Sequence, residues 1–175
     1  MFADPRTNVR QFGLQPGMTV ADFGAGGGAL ALEMAKLIRP NGKVVAIDVQ
    51  QALLARLKSE ARAQGLNNVE VVWGDVEKRG GSKLADRSVD AVIISNLLFQ
   101  SAAAYSLALE AKRILKPGGQ AVVVEWSGSF GGLGPVADAV VAPERAKQIF
   151  NEAGFASPTE FAAGAQHYGL IFKAT

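Results

Sequence analysis

Val20-Ala21-Asp22-Phe23-Gly24-Ala25-Gly26-Gly27-Gly28-Ala29 is the stretch on which the reading of the chain turns. An apolar run leads into it, and a helical pattern leaves it. Between them lie four glycines within five residues. Without a Cβ the backbone can turn sharply and let a ligand approach closely. The first turn of the following helix carries unpaired N–H groups, which favour a polar or anionic ligand end. The pattern predicts a nucleotide-type cofactor site after the first strand. A tight turn with no ligand is the plainer alternative, and a glycine-rich turn alone is weak evidence.

Asp22 chooses between cofactors. Gly24, Gly26 and Ala29 also fit the Gly-x-Gly-x-x-Gly/Ala spacing of dinucleotide sites. A carboxylate beside a pyrophosphate repels it, whereas a cationic amino group is attracted. Two further acids follow strands. Asp48 closes the apolar run Val44-Val45-Ala46-Ile47 and can accept from both ribose hydroxyls, a use shared with NAD-binding chains. Asp75 follows a third strand and can accept from an adenine amino group. Val49 and Val76 are placed to sandwich the flat base. For Asp48 and Asp75 the competing reading is a solvated acid at the end of a strand.

Outward from this stretch, strands and helices alternate. Asn8–Leu14 forms a short helix or turn, and Met18–Phe23 the first strand. Helical spacing follows over 28–39, a strand over Lys43–Asp48, a helix over 50–64 and a strand over 68–74. Residues 77–87 are polar loop. A strand over Ser88–Ser95, a helix over 101–115, a turn at Lys116-Pro117-Gly118-Gly119 and a strand over Gln120–Trp126 come next. Ser127–Pro135 is a glycine-rich loop, expected to be mobile. A helix over 143–153 and two tail strands, broken near Gly164–His167, complete the pattern. Alternation of this kind predicts a parallel sheet covered by helices on both faces. Ligands of such sheets lie at the carboxyl ends of the strands, where strand order switches.

Composition narrows the class. The 175 residues are 49% hydrophobic and 19% charged, with net charge +2, so a globular chain with a sizeable core is expected. Mild basicity does not by itself indicate nucleic acid. Absence of cysteine excludes disulfides, thiolate metal sites and thiol nucleophiles, and no metal site is expected. No run approaches the ~18 apolar residues of a membrane span. The start, Met1-Phe2-Ala3-Asp4-Pro5-Arg6, lacks a signal-peptide pattern, so a cytoplasmic protein is expected.

Asp22, Gly24, Gly26 and Gly28 match, position by position, the Asp/Glu-x-Gly-x-Gly-x-Gly motif of the class I S-adenosylmethionine-dependent methyltransferases. Arg113-Ile114-Leu115-Lys116-Pro117-Gly118-Gly119 and Asp90-Ala91-Val92 resemble two further signatures. Over nearly the whole chain the sequence is similar to that superfamily, nearest its UbiE-like, methyltransferase type 11 group. The resemblance implies a Rossmann-like, doubly wound, seven-stranded sheet, mostly parallel with an antiparallel last strand and helices on both faces. It implies one domain over residues 1–175 without a substrate cap insertion. The acceptor pocket is then expected from the N-terminal segment, the loop after Asn96 and the Ser127–Pro135 loop, or from a second subunit. The implied cofactor is S-adenosyl-L-methionine, leaving as S-adenosyl-L-homocysteine. The cofactor-binding set is Asp22, Gly24, Ala25, Gly26, Gly28, Asp48, Val49, Gly74, Asp75, Val76, Ser95 and Asn96.

The resemblance implies direct displacement of the methyl group onto an unidentified acceptor, a small molecule by first expectation. The fourth strand ends Ser95-Asn96-Leu97-Leu98, without the Asn/Asp-Pro-Pro-Tyr/Phe motif of adenine-N6 and glutamine methyltransferases. The cysteines of arsenite methyltransferases and the acids of the metal-dependent catechol type are missing too. Glu125 is a weak candidate for a base. His167, the single histidine, is read as a surface turn residue rather than a base, and Tyr105 and Trp126 as core aromatics rather than pocket walls. Three other readings stay open: an RNA or protein methyltransferase, a non-catalytic adenosylmethionine-binding scaffold, and a dinucleotide oxidoreductase. A monomer or homodimer is expected.

Overall fold

The computed structural model describes residues 4–175. Met1–Ala3, part of the segment read for a signal peptide, lie outside them. Asp4 caps the first helix, α1 (Pro5–Gln11), by accepting from the Thr7 N–H, with Pro5 in the first turn where no N–H is needed. β1 (Thr19–Phe23), α2 (Ala29–Leu37), β2 (Lys43–Asp48), α3 (Gln51–Ala63) and β3 (Val69–Trp73) follow. The second half holds β4 (Val89–Ser95), α4 (Ala104–Ile114), β5 (Leu115–Trp126), α5 (Pro143–Glu152), β6 (Thr159–Ala162) and β7 (His167–Lys173).

These strands form one sheet in the order β3-β2-β1-β4-β5-β7-β6. β1 pairs in parallel with both β2 and β4, and β7 runs antiparallel to β5 and β6. The chain therefore builds outward from β1 to β3, then returns to lay β4 on β1's other side. That reversal opens a crevice at the carboxyl ends of β1 and β4.

Side-chain alternation along the strands gives the sheet two buried faces. Val45, Ile47, Val92, Ile94 and Val123 pack with Leu107 and Ala111 of α4 and Phe150 of α5. Val44, Ala46, Ala91, Ile93 and Val122 pack with Val9 and Phe12, with Met34 of α2 and with Leu57 of α3. Phe150 stacks on Phe172 of β7 with ring centroids 4.5 Å apart.

Several expectations change. Lys116-Pro117-Gly118-Gly119 is not a turn before β5 but a bulge inside it. Leu115 pairs with Val89, yet Gln120 pairs with Ala91, so β5 spends extra residues against β4. Pro117 has no N–H to give the ladder, and Gly118 takes φ +75°, so the strand buckles without reversing. His167 is not a surface turn residue. It opens β7, pairs in register with Trp126 and is buried against that indole at a centroid distance of 4.2 Å. Tyr105 is not core: it stands 46% exposed in the first turn of α4. Trp126 is buried as expected, beside Phe130 and His167.

Candidate cofactor cleft

The glycine turn is held against the end of β2. Gly24 and Ala25 N–H groups both donate to the Ile47 carbonyl, and the Gly26 N–H donates to Asp48 Oδ2 at 2.9 Å. Asp48 Oδ1 accepts from the Gln50 N–H at 2.8 Å, bracing the start of α3 as well. Gly28 is the N-cap of α2 at φ +80°, and a Cβ there would come within 2.2 Å of Leu57 on α3. Its glycine thus serves helix packing as much as any ligand. Gly26, also at positive φ, has only the Gly24 carbonyl, 3.9 Å away, near its missing Cβ, so its backbone is uncrowded on the cleft wall.

Two cavities, about 410 and 400 Å³, lie along the carboxyl edge of the sheet and share Gly24, Gly26, Asn96 and Gln100 as common walls. They make one continuous cleft. The first is bounded by Pro5 and Asn8 of α1, Asp22, the turn from Gly24 to Leu30, Ser95, Asn96 and Gln100. The second is bounded by Asp48, Val49, Gln50, Gly74, Asp75, Val76, Glu77 and Leu97. All twelve residues of the expected cofactor set lie on these walls. Val49 is exposed and Val76 buried on the same wall, giving it apolar surface next to the Asp48 and Asp75 carboxylates.

Glu125, His167 and Tyr105 line neither cavity, nor does the Ser127–Pro135 loop. That loop folds back on Trp126, with Phe130 at 6.3 Å and Gly134 directly beneath the indole. Of the three expected acceptor walls, the N-terminal segment and the loop after Asn96 reach the cleft. Gln100 was missed. It ends a 3₁₀ turn, Leu98–Gln100, and its Nε2 donates to the Asn96 carbonyl at 2.7 Å.

Electrostatics single out the middle of the cleft. Asp22 is 2% exposed, and its Oδ2 has no hydrogen-bond partner. Burial first, and the Asp48 charge second, push its carboxyl up to about 7. Asn96 is held at φ +52°, and its buried Oδ1 also has no partner. Buried acceptors are normally satisfied, so two orphans on one cleft wall call for a donor from outside the chain. Asp75 differs: Lys78 beside it and the Glu77 N–H hold its carboxyl below the usual range. A cationic amino group fits the unpartnered Asp22 oxygen, and the lone pairs that the Gly26 and Gln50 N–H groups leave on Asp48 suit hydroxyl donors. S-adenosylmethionine carries both, the amino group at one end and the ribose hydroxyls in its middle.

Residues 14–156 match a family described as "Methyltransferase domain". The chain is 31% identical over 127 residues to the ubiquinone/menaquinone biosynthesis C-methyltransferase UbiE of Pseudomonas putida, covering 70% of this chain and 47% of that protein. It spans less than half the length of the curated relatives it matches. A crystal structure of a SAM-dependent methyltransferase from Aquifex aeolicus superposes with TM-score 0.90 at 27% identity, over 99% of this chain and 91% of that one. The [4+2]-cyclase SpnF shares the fold at TM-score 0.74 and 23% identity, over 89% of this chain and 59% of that one. Because the family match covers most of the chain, and the glycine turn, switch point and strand-end acids stand together in the cleft, this protein belongs to the class I S-adenosylmethionine-dependent methyltransferases.

Proposed function

We propose that residues 1–175 form one methyltransferase domain without a cap insertion, transferring a methyl group to a small-molecule acceptor by direct displacement. The observation that carries the cofactor placement is the orphaned Asp22 carboxylate over the Gly24–Gly28 turn. In this reading Asp22 binds the amino-acid end of the cofactor, Asp48 the ribose hydroxyls and Asp75 the adenine amino group. Val49 and Val76 pack on the base. Gly24, Ala25, Gly26, Gly28, Gly74, Ser95 and Asn96 complete the walls. When bound, S-adenosylmethionine supplies an activated sulfonium methyl.

The residues' main work is to align and to exclude water. The acceptor enters beside Pro5, Asn8, Asn96 and Gln100. A base is needed only where the acceptor must lose a proton first. Glu125 is not placed for that role, since its oxygens already accept from backbone N–H groups. The similarity to UbiE supports a small organic acceptor.

Asp48→Ala tests the placement. Removing this acceptor should weaken S-adenosylhomocysteine binding by about 1.5–3 kcal/mol, read by calorimetry. Unchanged affinity would mean the ribose lies elsewhere.

A second reading, an RNA or other polyanionic acceptor, draws on a groove of about 440 Å³ between α1 and α2. Arg6, Arg10 and Lys36 line it with Glu33, on the same two helices that give Pro5, Asn8, Ala29 and Leu30 to the cleft. Salt-sensitive RNA binding would favour this reading, and none at low salt would remove it. No helix among the described residues is long and apolar enough to cross a membrane. A cytoplasmic monomer or homodimer completes the proposal.

A further inference from the structure

Glu125 sits late in β5 with no exposed surface. Its Oε1 accepts from the Trp126 N–H at 2.8 Å. Its Oε2 accepts from the Leu98 N–H at 2.9 Å and, more weakly, from the Phe99 N–H at 3.4 Å. Leu98 and Phe99 open the 3₁₀ turn after β4. The residue at that turn's own cap position, Leu97, makes no side-chain cap. One strand's carboxylate therefore satisfies the first N–H groups of the turn that follows its neighbour.

That turn carries the wall shared by both halves of the cleft. Asn96 and Leu97 precede it and Gln100 ends it. Leu97 lies against the glycine turn, where a Cβ on Gly24 would come within 2.9 Å of it. The Gln100 side chain closes back on the Asn96 carbonyl. Besides Glu125, the segment's tie to β5 is the Asn96 N–H donating to the Val124 carbonyl at 2.8 Å.

We propose that Glu125 is a positioning residue: its carboxylate clamps the turn after β4 and so sets where Asn96, Leu97 and Gln100 stand in the cleft. Cofactor affinity is then coupled to the charge of a group that lies outside the cleft. The inference rests on the cofactor placement given above.

A carboxylate accepts these N–H groups better than a neutral acid does. The titratable group opposite it on β7 is Tyr168, its register partner; His167, next along the strand, is in register with Trp126 and packs on that indole. Burial, with the Glu125 and Glu144 charges adding, raises the Tyr168 hydroxyl far above neutrality, and its O–H donates to the Val141 carbonyl. Burial lowers His167, so it too is neutral near pH 7. From α5, the charge of Glu144 acts on Tyr168. The segment after β4 brings only backbone N–H groups. Burial pushes the Glu125 carboxyl up to about 7, against the opposing pull of the Trp126, Phe99 and Leu98 N–H groups. The clamp should tighten as pH rises through that value.

The test combines residue-resolved amide exchange with calorimetric binding of S-adenosylhomocysteine, on the whole chain between pH 6 and 8.5. Wild type, Glu125→Gln and Asp22→Asn are compared. In wild type, protection at Leu98 and Phe99, corrected for intrinsic exchange, should rise about tenfold across the range, as for one charge-assisted hydrogen bond. In Glu125→Gln it should be flat and low. Affinity at pH 8 should fall about three- to tenfold in that variant and converge with wild type at pH 6. Asp22→Asn should lose affinity with Leu98 protection unchanged. Unaltered protection and affinity in Glu125→Gln overturn the clamp, as does a slowed turnover with both unaltered. If Glu125→Gln does not fold, the wild-type pH series decides. Absence of any binding by wild type overturns the cofactor placement instead, while the exchange data still judge the clamp.

Discussion

Glu110 on α4 and Asp22 on β1 are buried to nearly the same degree, 1% and 2% exposed. Their surroundings could hardly differ more. Glu110 accepts from the Gly80 N–H, the Ser82 N–H and hydroxyl, and the Arg113 guanidinium at two nitrogens. Burial pulls its carboxyl upward, but Arg113, Ser82 and the Gly80 N–H outweigh that and hold it near 2. Asp22 has no cation beside it and one oxygen with no partner, and its carboxyl rises to about 7. The same chemical group is finished inside the fold in one place and left incomplete in the other. What separates them is the supply of donors, not depth. The first ties the polar loop at 80–84 to α4; the second leaves an acceptor open on the cleft wall.

Breaking the finished site should have the largest effect. Glu110→Ala leaves Arg113 and two backbone N–H groups short of partners, and should cost about 3–5 kcal/mol in urea unfolding. A loss below ~1 kcal/mol would mean that Asp86, already 2.5 Å from Arg113, satisfies the guanidinium alone.

Asp22→Asn should move the other way. It removes a buried charge that nothing in the fold compensates, so stability should rise, on the order of 2 kcal/mol above pH 7. Affinity for S-adenosylmethionine should fall about 10–100-fold. A variant both less stable and equally avid would contradict the reading of Asp22 as a ligand group.

Acidification should expose the same contrast in wild type. Glu110 is held below its ordinary value, so its contribution is intact above about pH 4.5 and is lost as pH falls toward 2. Asp22 and Glu125 are raised, so their cost grows as pH rises from about 4 to 7. Between pH 8 and 5, unfolding free energy should increase while cofactor affinity decreases. Parallel loss of both would show that ionised Asp22 and Glu125 support the fold itself.

The smallest effect should be at Asp75, whose carboxylate already has Lys78 and the Glu77 N–H. Asp75→Asn should weaken S-adenosylhomocysteine several-fold at most, since the amide oxygen still accepts. Calorimetry with adenosine as a fragment separates this from a change at the amino-acid end.

Much of the fold and cleft was legible in the residues. Apolar runs closing on Asp22 and Asp48 placed β1 and β2 to within a residue, because a strand buried on both faces admits few polar side chains. The expected cofactor set needed only strand ends and one glycine turn, features local in sequence. Gln100 and the bulge in β5 were less visible. A polar residue in a loop has no periodicity to betray it, and Lys-Pro-Gly-Gly suits a turn as well as a bulge until a partner strand imposes a register.

The chain's local chemistry thus determined the alternation of strand and helix, the tight turn at Gly24–Gly28 and the order of the three acids along the sheet edge. Each follows from backbone sterics and burial over a few neighbouring residues. Tertiary structure alone decided which carboxylates are satisfied. Glu110 has Arg113 one turn along its own helix, but its other donors lie 28 to 30 residues away at Ser82 and Gly80, Glu125 finds one 27 residues back at Leu98, and Asp22 leaves one oxygen unmatched. Hydrogen bonds saturate within about 3 Å, so a carboxylate's charge state depends on atoms that only the folded chain brings near.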